Sequence, residues 1–177
     1  MVKSHTKREL KSWGKSMIIA IGIAAVVRTF LFSPYEVEGA SMEPTLHNQE
    51  RVFVNKWGDL KRGEIIIIKG EDENYVKRLI GLPGDTIEME NDQLVINGVL
   101  FDEPYLSENR KLAKRVSNLL TGDFGPIKVP KDQYFVMGDN RLYSMDSRNG
   151  LGFIQKAEII GQSEFVFFPF SQIRRTD

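Results

Sequence analysis

Within Asn74-Tyr75-Val76-Lys77-Arg78-Leu79-Ile80-Gly81, the run from Tyr75 to Gly81 reads as a β-strand, and Leu82-Pro83-Gly84-Asp85 reads as the turn that closes it. Side chains alternate between the faces of a strand, so Tyr75, Lys77 and Leu79 share one face and Val76, Arg78 and Ile80 the other. Proline at the second position and glycine at the third specify a type II turn. The two adjacent bases therefore point to opposite sides, and one of them must face inward or border a cleft. Pattern alone favours neither.

Similar short runs, rich in β-branched residues, lie on both sides: Arg51–Asn55, Glu64–Lys69, Thr86–Glu90, Gln93–Ile96, Tyr134–Gly138 and Glu164–Phe168. Turn signals separate them at Gly58-Asp59, Arg62-Gly63, Asn91-Asp92, Asn97-Gly98 and Gly138-Asp139. This spacing predicts a mostly β body of antiparallel sheet. One helix is expected, at Ser107–Leu120, with Ser107 as N-cap and Leu112, Val116 and Leu119 sharing a face. It falls in the most polar stretch, about 102–125, which reads as an excursion from the sheet. The aromatic end Phe165–Phe170 reads as a core strand in preference to a membrane-dipping patch, and Met42 is expected among the exposed apolar residues.

The chain has 177 residues, 24 basic and 24 acidic side chains and no cysteine. A zero net charge points away from nucleic acid. Thiol catalysis, disulfides and cysteine metal sites are excluded. The charge is unevenly placed: residues 1–15 carry a net +4 and residues 16–177 a net −4. Ser16–Phe32 reads S-M-I-I-A-I-G-I-A-A-V-V-R-T-F-L-F, with no acid and one base, Arg28. Seventeen helical residues cover about 25 Å, near the short limit for crossing a bilayer. Arg28 stands about one turn from the far end, where it can snorkel to the interface. A cleaved secretory leader also has a basic head and an apolar core, but it needs small residues at its cleavage site. The closest match, Glu38-Gly39-Ala40, puts glutamate in one of those places. The expected organisation is a basic cytoplasmic head at 1–15, a single membrane anchor at 16–33 and a body at 34–177 outside the cytoplasm.

Two histidines are present. His5 lies in the basic head, and His47 lies in a polar turn six residues after Ser41, where it reads as a solvated loop residue more readily than as part of a serine–histidine triad. A serine can instead be activated by a neutral lysine. An ordinary lysine is almost wholly charged at pH 7, but burial among apolar groups disfavours the charged form. A fall to about 8 would leave roughly a tenth neutral at pH 7. Of the two bases on the strand, arginine cannot act as a proton acceptor at this pH, so the chemistry selects Lys77. Ser41, in Glu38-Gly39-Ala40-Ser41-Met42-Glu43-Pro44-Thr45-Leu46, is the candidate partner, in a turn shaped by Pro44 and by Gly39, which is expected to admit a close backbone approach.

Three segments carry a family resemblance. Gly39–Leu46 resembles the nucleophile box of bacterial type I signal peptidases, Tyr75–Asp85 their lysine box, and Gly138–Arg148 (G-D-N-R-L-Y-S-M-D-S-R) a third box, in family order; Gly150–Ile154 also fits. The compact body and single anchor resemble the Gram-positive branch. The resemblance implies a serine endopeptidase that removes signal peptides from secreted preproteins at the outer membrane surface, cutting after small residues of the Ala-x-Ala type. It implies Ser41 as nucleophile, Lys77 as general base, Ser144 as a hydroxyl that hydrogen-bonds and orients the lysine, and Asp146 and Arg148 as a structural ion pair. Asp139, Asn140 and Arg141 are expected to be scaffold. The backbone N–H of Ser41 is expected to be one oxyanion donor. Some family members carry a serine two residues before the nucleophile as a second donor, and here that place holds Gly39. Expected partners are preprotein signal peptides and the phospholipid membrane, with the secretion translocon nearby. No cofactor, metal or nucleic acid is expected. The self-cleaving repressors of the SOS response resemble this dyad but carry a DNA-binding head. A non-enzymatic surface protein would have no need of all three boxes.

Overall fold

The structure is a computed structural model that describes residues 3–26, 32–116 and 119–176. An N-terminal helix α1 (Lys3–Val26) precedes strands β1 (Phe32–Glu36), β2 (Arg51–Asn55), β3 (Ile65–Lys69), β4 (Asn74–Gly81), β5 (Thr86–Glu90), β6 (Gln93–Ile96) and β7 (Val99–Phe101). After β7 come a 3-10 turn, Pro104–Leu106, helix α2 (Ser107–Val116) and strands β8 (Phe124–Lys128), β9 (Gln133–Met137), β10 (Ile154–Gln155), β11 (Ile159–Phe168) and β12 (Arg174–Arg175). The large sheet runs β1-β2-β11-β3-β4-β9-β10, with β12 on β11, and the small one β7-β6-β5-β8. All pairings are antiparallel, as expected.

The hairpins follow from their turn residues. Asn91 and Asp92 between β5 and β6, and Asn97 and Gly98 between β6 and β7, all take positive φ, as two-residue hairpin turns require. The Asp85 N–H donates to Leu82 O at 3.0 Å with Gly84 at φ +89°, closing the expected type II turn.

Both faces of the large sheet are covered. Ile65, Ile67 and Val76 pack with Val37, Met42, Leu46 and Val52 on one face. Ile66, Ile68, Leu79 and Val136 form a core on the other. Further along, Ile80, Phe135 and Met137 pack against Ile87, Met89 and Leu94 of the small sheet. This double cover changes the outcome for the two bases of β4: both are buried, Lys77 and Arg78 each being only 3% exposed.

Three expectations are corrected. β1 begins at Phe32 and pairs with β2 from Phe32↔Asn55 to Glu36↔Arg51, so Phe32 and Ser33 belong to the sheet and not to an anchor ending at 33. Pro34 is tolerated there because β1 is an edge strand. The helix after β7 is shorter than Ser107–Leu120 and starts on a 3-10 turn, so Ser107 is not a free N-cap. Leu112 and Leu119 are exposed; within α2 it is Asn109 and Ala113 that are buried, Ala113 packing with Leu106 before the helix and Leu120 after it. Met42, finally, is 1% exposed and lies in the core.

Phe165–Phe170 belongs to β11 and the 3-10 turn after it; Val166 is fully buried and Phe165 and Phe167 pack tilted against Phe53, but Phe165, Phe168 and Phe170 are exposed, so the core strand expected there is only partly covered. In α1, Trp13, Met17, Ile18, Ile19, Ile21 and Ile23 are all exposed. No helix among the described residues is long and apolar enough to cross a membrane. Part of the expected span, with Arg28, lies outside the described residues.

Candidate active site

Ser41 sits in a turn after Val37 that is pinned from below by Met42 and Leu46, both buried in the core. Met42 O accepts from the Leu46 N–H at 3.0 Å, and Ala40 O from the Glu43 N–H at 3.2 Å. The turn lies against β4, and Lys77 Nζ donates to Ser41 Oγ at 2.7 Å. Among the described residues no carboxylate lies within ion-pair distance of Lys77. Burial pushes its amine down to about 8, against a smaller upward pull from the charges of Asp146 and Glu73. About a tenth of the amine is then neutral at pH 7.

The third box forms the floor. Arg148 Nε and Nη2 grip Asp146 Oδ1 and Oδ2 at 2.9 and 2.8 Å, and Asp146 Oδ2 also accepts the Gly138 N–H at 3.0 Å. Burial pushes the Asp146 carboxyl up, but the guanidinium of Arg148 and these N–H donors outweigh it and hold the group below the usual carboxylate range. The N–H groups of Asn149, Gly150 and Leu151 all donate to Asp146 O, which winds the loop around this residue.

Ser144 is buried nearby, but its hydroxyl has no hydrogen-bond partner. The expected bond to Lys77 is therefore not formed in this structure. Ser144 Oγ lies directly over Gly138, where a Cβ would overlap both it and the Ser41 carbonyl oxygen. The close backbone approach expected at Gly39 thus occurs at Gly138. Around Gly39 the space is open, and what calls for glycine there is its φ of +79°. The Gly39 N–H donates to Asn48 Oδ1 at 2.9 Å, so it is not a spare oxyanion donor.

The scaffold residues of the third box are tied to β4 and to the polar excursion. Arg78 Nε and Nη2 bind Asp139 Oδ1 and Oδ2 at 2.9 and 2.6 Å, and its guanidinium lies 3.9 Å over the Tyr105 ring. Thr45 Oγ1 donates to the same carboxylate. Arg141 pairs with Glu103, both side chains being fully buried. Asn109 Nδ2 donates to Glu43 O at 2.9 Å and to Asp139 O at 2.7 Å. Two polar groups of the stretch 102–125, Glu103 and Asn109, are thus buried as partners beneath the site, while Asp102, Ser107, Glu108, Lys111, Lys114 and Arg115 face solvent. Reading the sequence missed Glu103 and Asn109 in this role, and no local pattern marks them. His47 is half exposed beside Glu43, 3.2 Å from its carboxylate, and belongs to no triad with Ser41.

An open cleft of about 240 Å³ runs over Ser41 and Lys77, lined by Gly39, Ala40, Asn74, Val76, Tyr143 and Met145 among others. β9 pairs with β4 only from Arg78 onward, whereas β3 pairs with it from Asn74. The cleft-side edge of Asn74–Lys77 is consequently free of strand pairing.

Comparison with known proteins gives one consistent result. The family described as signal peptidase, peptidase S26, matches residues 10–168. A signal peptidase I of Bacillus amyloliquefaciens is 58% identical over 178 residues, covering 98% of this chain and 96% of its own length. Signal peptidase I S of Bacillus subtilis is 56% identical, covering 97% and 96% respectively. The crystal structure of a signal peptidase I from Enterococcus faecalis is similar at a TM-score of 0.54 and 37% identity, over 59% of this chain and 97% of that one.

Proposed function

The chain belongs to the signal peptidase, peptidase S26, family and is a serine endopeptidase of the signal peptidase type, and from that premise we propose that it cuts signal peptides from preproteins with Ser41 as nucleophile and Lys77 as general base. The observation that carries this reading is the 2.7 Å contact between Lys77 Nζ and Ser41 Oγ, made by a lysine that burial has brought down to about 8.

In the neutral form Nζ accepts the Ser41 proton as Oγ attacks the scissile carbonyl carbon. The resulting oxyanion takes a hydrogen bond from the Ser41 N–H. The lysine ammonium then gives its proton to the leaving amine, and the signal peptide remains as an ester on Ser41. A water molecule, deprotonated by the same lysine, hydrolyses that ester and restores the hydroxyl. Asp146 and Arg148 act as a structural pair that holds the loop beneath the lysine.

The free edge of Asn74–Lys77 suits an extended preprotein segment, which would add as a strand between β4 and residues 38–40. Main-chain hydrogen bonds would supply affinity there. Shallow apolar pockets would admit only small side chains at the first and third positions before the cut, the Ala-x-Ala preference.

An anchor within the apolar run that begins at Ser16 would hold this cleft at the outer face of the cell membrane, near the translocon, with the basic head in the cytoplasm. The exposed apolar side chains around α1 support that placement. The test incubates the full chain in detergent with a preprotein carrying Ala-x-Ala, beside Ser41→Ala and Lys77→Ala. Cleavage after the second alanine, lost in both variants, is expected. An intact preprotein with the unmodified chain, or cleavage that survives Lys77→Ala, would overturn the assignment.

A further inference from the structure

We infer that Asn140 is a positioning residue that aims the Ser41 N–H at the reacting carbonyl, by gripping the Ala40 carbonyl on the opposite edge of the same peptide plane. The inference rests on Ser41 being the nucleophile and its N–H an oxyanion donor. Asn140 Nδ2 donates to Ala40 O at 2.9 Å, and the Asn140 N–H donates to Ser41 O at 3.0 Å. One residue, a hundred positions away in the chain, thus holds the carbonyls on both sides of the nucleophile.

The consequence follows from peptide geometry. The Ala40–Ser41 bond is trans. Its six atoms lie in a plane, with C=O and N–H pointing in opposite directions. Fixing the direction of Ala40 O therefore fixes the direction of the Ser41 N–H. Among the described residues no acceptor takes that N–H, so nothing on its own side orients it. Ala40 O has one other donor, the Glu43 N–H, at a longer 3.2 Å and from within the same turn. A bond internal to the turn cannot set how the turn as a whole faces the lysine. Asn140 can, because it stands on the loop that Gly138 and Asp146 tie to the floor of the site.

Gly39 sharpens the dependence. A glycine with φ +79° two residues before the nucleophile contributes no side chain to the hole, and its N–H is already spent on Asn48. The Ser41 N–H then carries more of the oxyanion charge, and its aim matters correspondingly more. A donor that is present but misdirected loses part of what a deleted donor loses, because hydrogen bonds weaken steeply as they bend.

The test uses the full chain in detergent with Asn140→Leu, which keeps the side-chain size without donor or charge, and Asn140→Ala. Three quantities are read: kcat and KM on an Ala-x-Ala preprotein, the thermal midpoint, and the affinity for a peptide aldehyde relative to the matching peptide alcohol. The aldehyde becomes a hemiacetal on Ser41 and presents an oxyanion; the alcohol does not. We expect kcat to fall by about 10- to 100-fold with KM held within about twofold, short of the full loss of an oxyanion donor. The aldehyde-to-alcohol preference should fall by a similar factor. Because both probes meet the same folded population, this ratio does not depend on how much of a variant is folded. An unchanged ratio, or a KM that rises while kcat stays, would overturn the inference and leave Asn140 as scaffold. If the unmodified chain shows no preference for the aldehyde, the nucleophile assignment itself falls and takes the inference with it.

Discussion

Lys77 and Arg78 are neighbours on β4, equally buried, and their surroundings differ in kind. Arg78 has a bidentate carboxylate, the Gly63 carbonyl and the Tyr105 ring. Lys77 has one hydroxyl, the more distant Tyr75 ring at 5.9 Å and no carboxylate at ion-pair distance among the described residues. Burial of a cation is unfavourable in both places. On one face the protein supplies a counter-charge and gains a strut between β4 and the third box. On the other it withholds the counter-charge, and the amine gives up its proton near neutrality. Equal burial therefore leaves one cation fully paired and the other with its proton affinity lowered to about 8, as the proposed base requires, and the partner decides which.

Lys77→Met should show the difference most strongly. Its kcat/KM should fall by about ten-thousand-fold, the upper end for a positioned general base, equivalent to about 5.5 kcal/mol of barrier. A residual rate within tenfold of the unmodified chain would remove Lys77 from the chemistry. Arg78→Met strikes the other face. It strands Asp139, fully buried, without its cation. Breaking such a pair from one side costs about 3–5 kcal/mol. Urea unfolding should read that loss, and a change below 1 kcal/mol would show that the pair carries no stability.

How much of this was legible in the sequence depends on where each residue stands. β2, β5 and β6 have the boundaries that alternation and turn residues predict, because they sit between other strands and show a regular buried pattern. The strands that were missed, β1, β7, β8, β10 and β12, lie at sheet margins. An edge strand need not carry two apolar faces, and it can hold a proline, as β1 does at Pro34 and β8 at Pro126. The proximity of Lys77 to Ser41 was legible because arginine could be ruled out as a base, which is a chemical argument, and the fold sets the amine against Ser41 Oγ. Arg78 as a fully paired cation was not, since Asp139 is 61 residues away. Glu103 and Asn109 were hidden by their own polarity. A polar stretch reads as solvated unless its partners are known, and these partners are assembled only by the fold.

The next prediction runs against intuition, because Lys77→Met should stabilise the protein. A lysine brought from 10.5 down to about 8 binds its proton less well folded than unfolded. Between those values the unfolded chain holds more protons, so the stability of the unmodified protein rises with pH across that window. Below about pH 8 the folded state bears the whole penalty, about 3 kcal/mol for a shift of that size. Methionine removes it and forfeits about 1 kcal/mol from the bond to Ser41. A net gain of about 1–2 kcal/mol is expected at pH 7, shrinking toward pH 10. A gain that does not vary with pH would mean that packing, not charge, is responsible.

The smallest effects separate the two carboxylates that hold the amine up. The charge of Asp146 raises it more than that of Glu73, and both oppose burial. Removing either should let the amine fall further and move the acid limb of the kcat/KM profile, which rises with pH through about 8, toward lower pH. Asp146→Asn should move it more, and it should also destabilise the loop, since Asp146 accepts from Arg148 and Gly138. Glu73→Gln should move it less and leave the thermal midpoint unchanged, because Glu73 is exposed. Salt distinguishes them. Exposed charges are screened over about 3 Å at 1 M ionic strength, whereas a buried charge is screened far less. The Glu73→Gln shift should therefore vanish in about 1 M salt, and the Asp146→Asn shift should persist. If both vanish together, the field at Lys77 reaches it through solvent, and burial is not what sets its proton affinity.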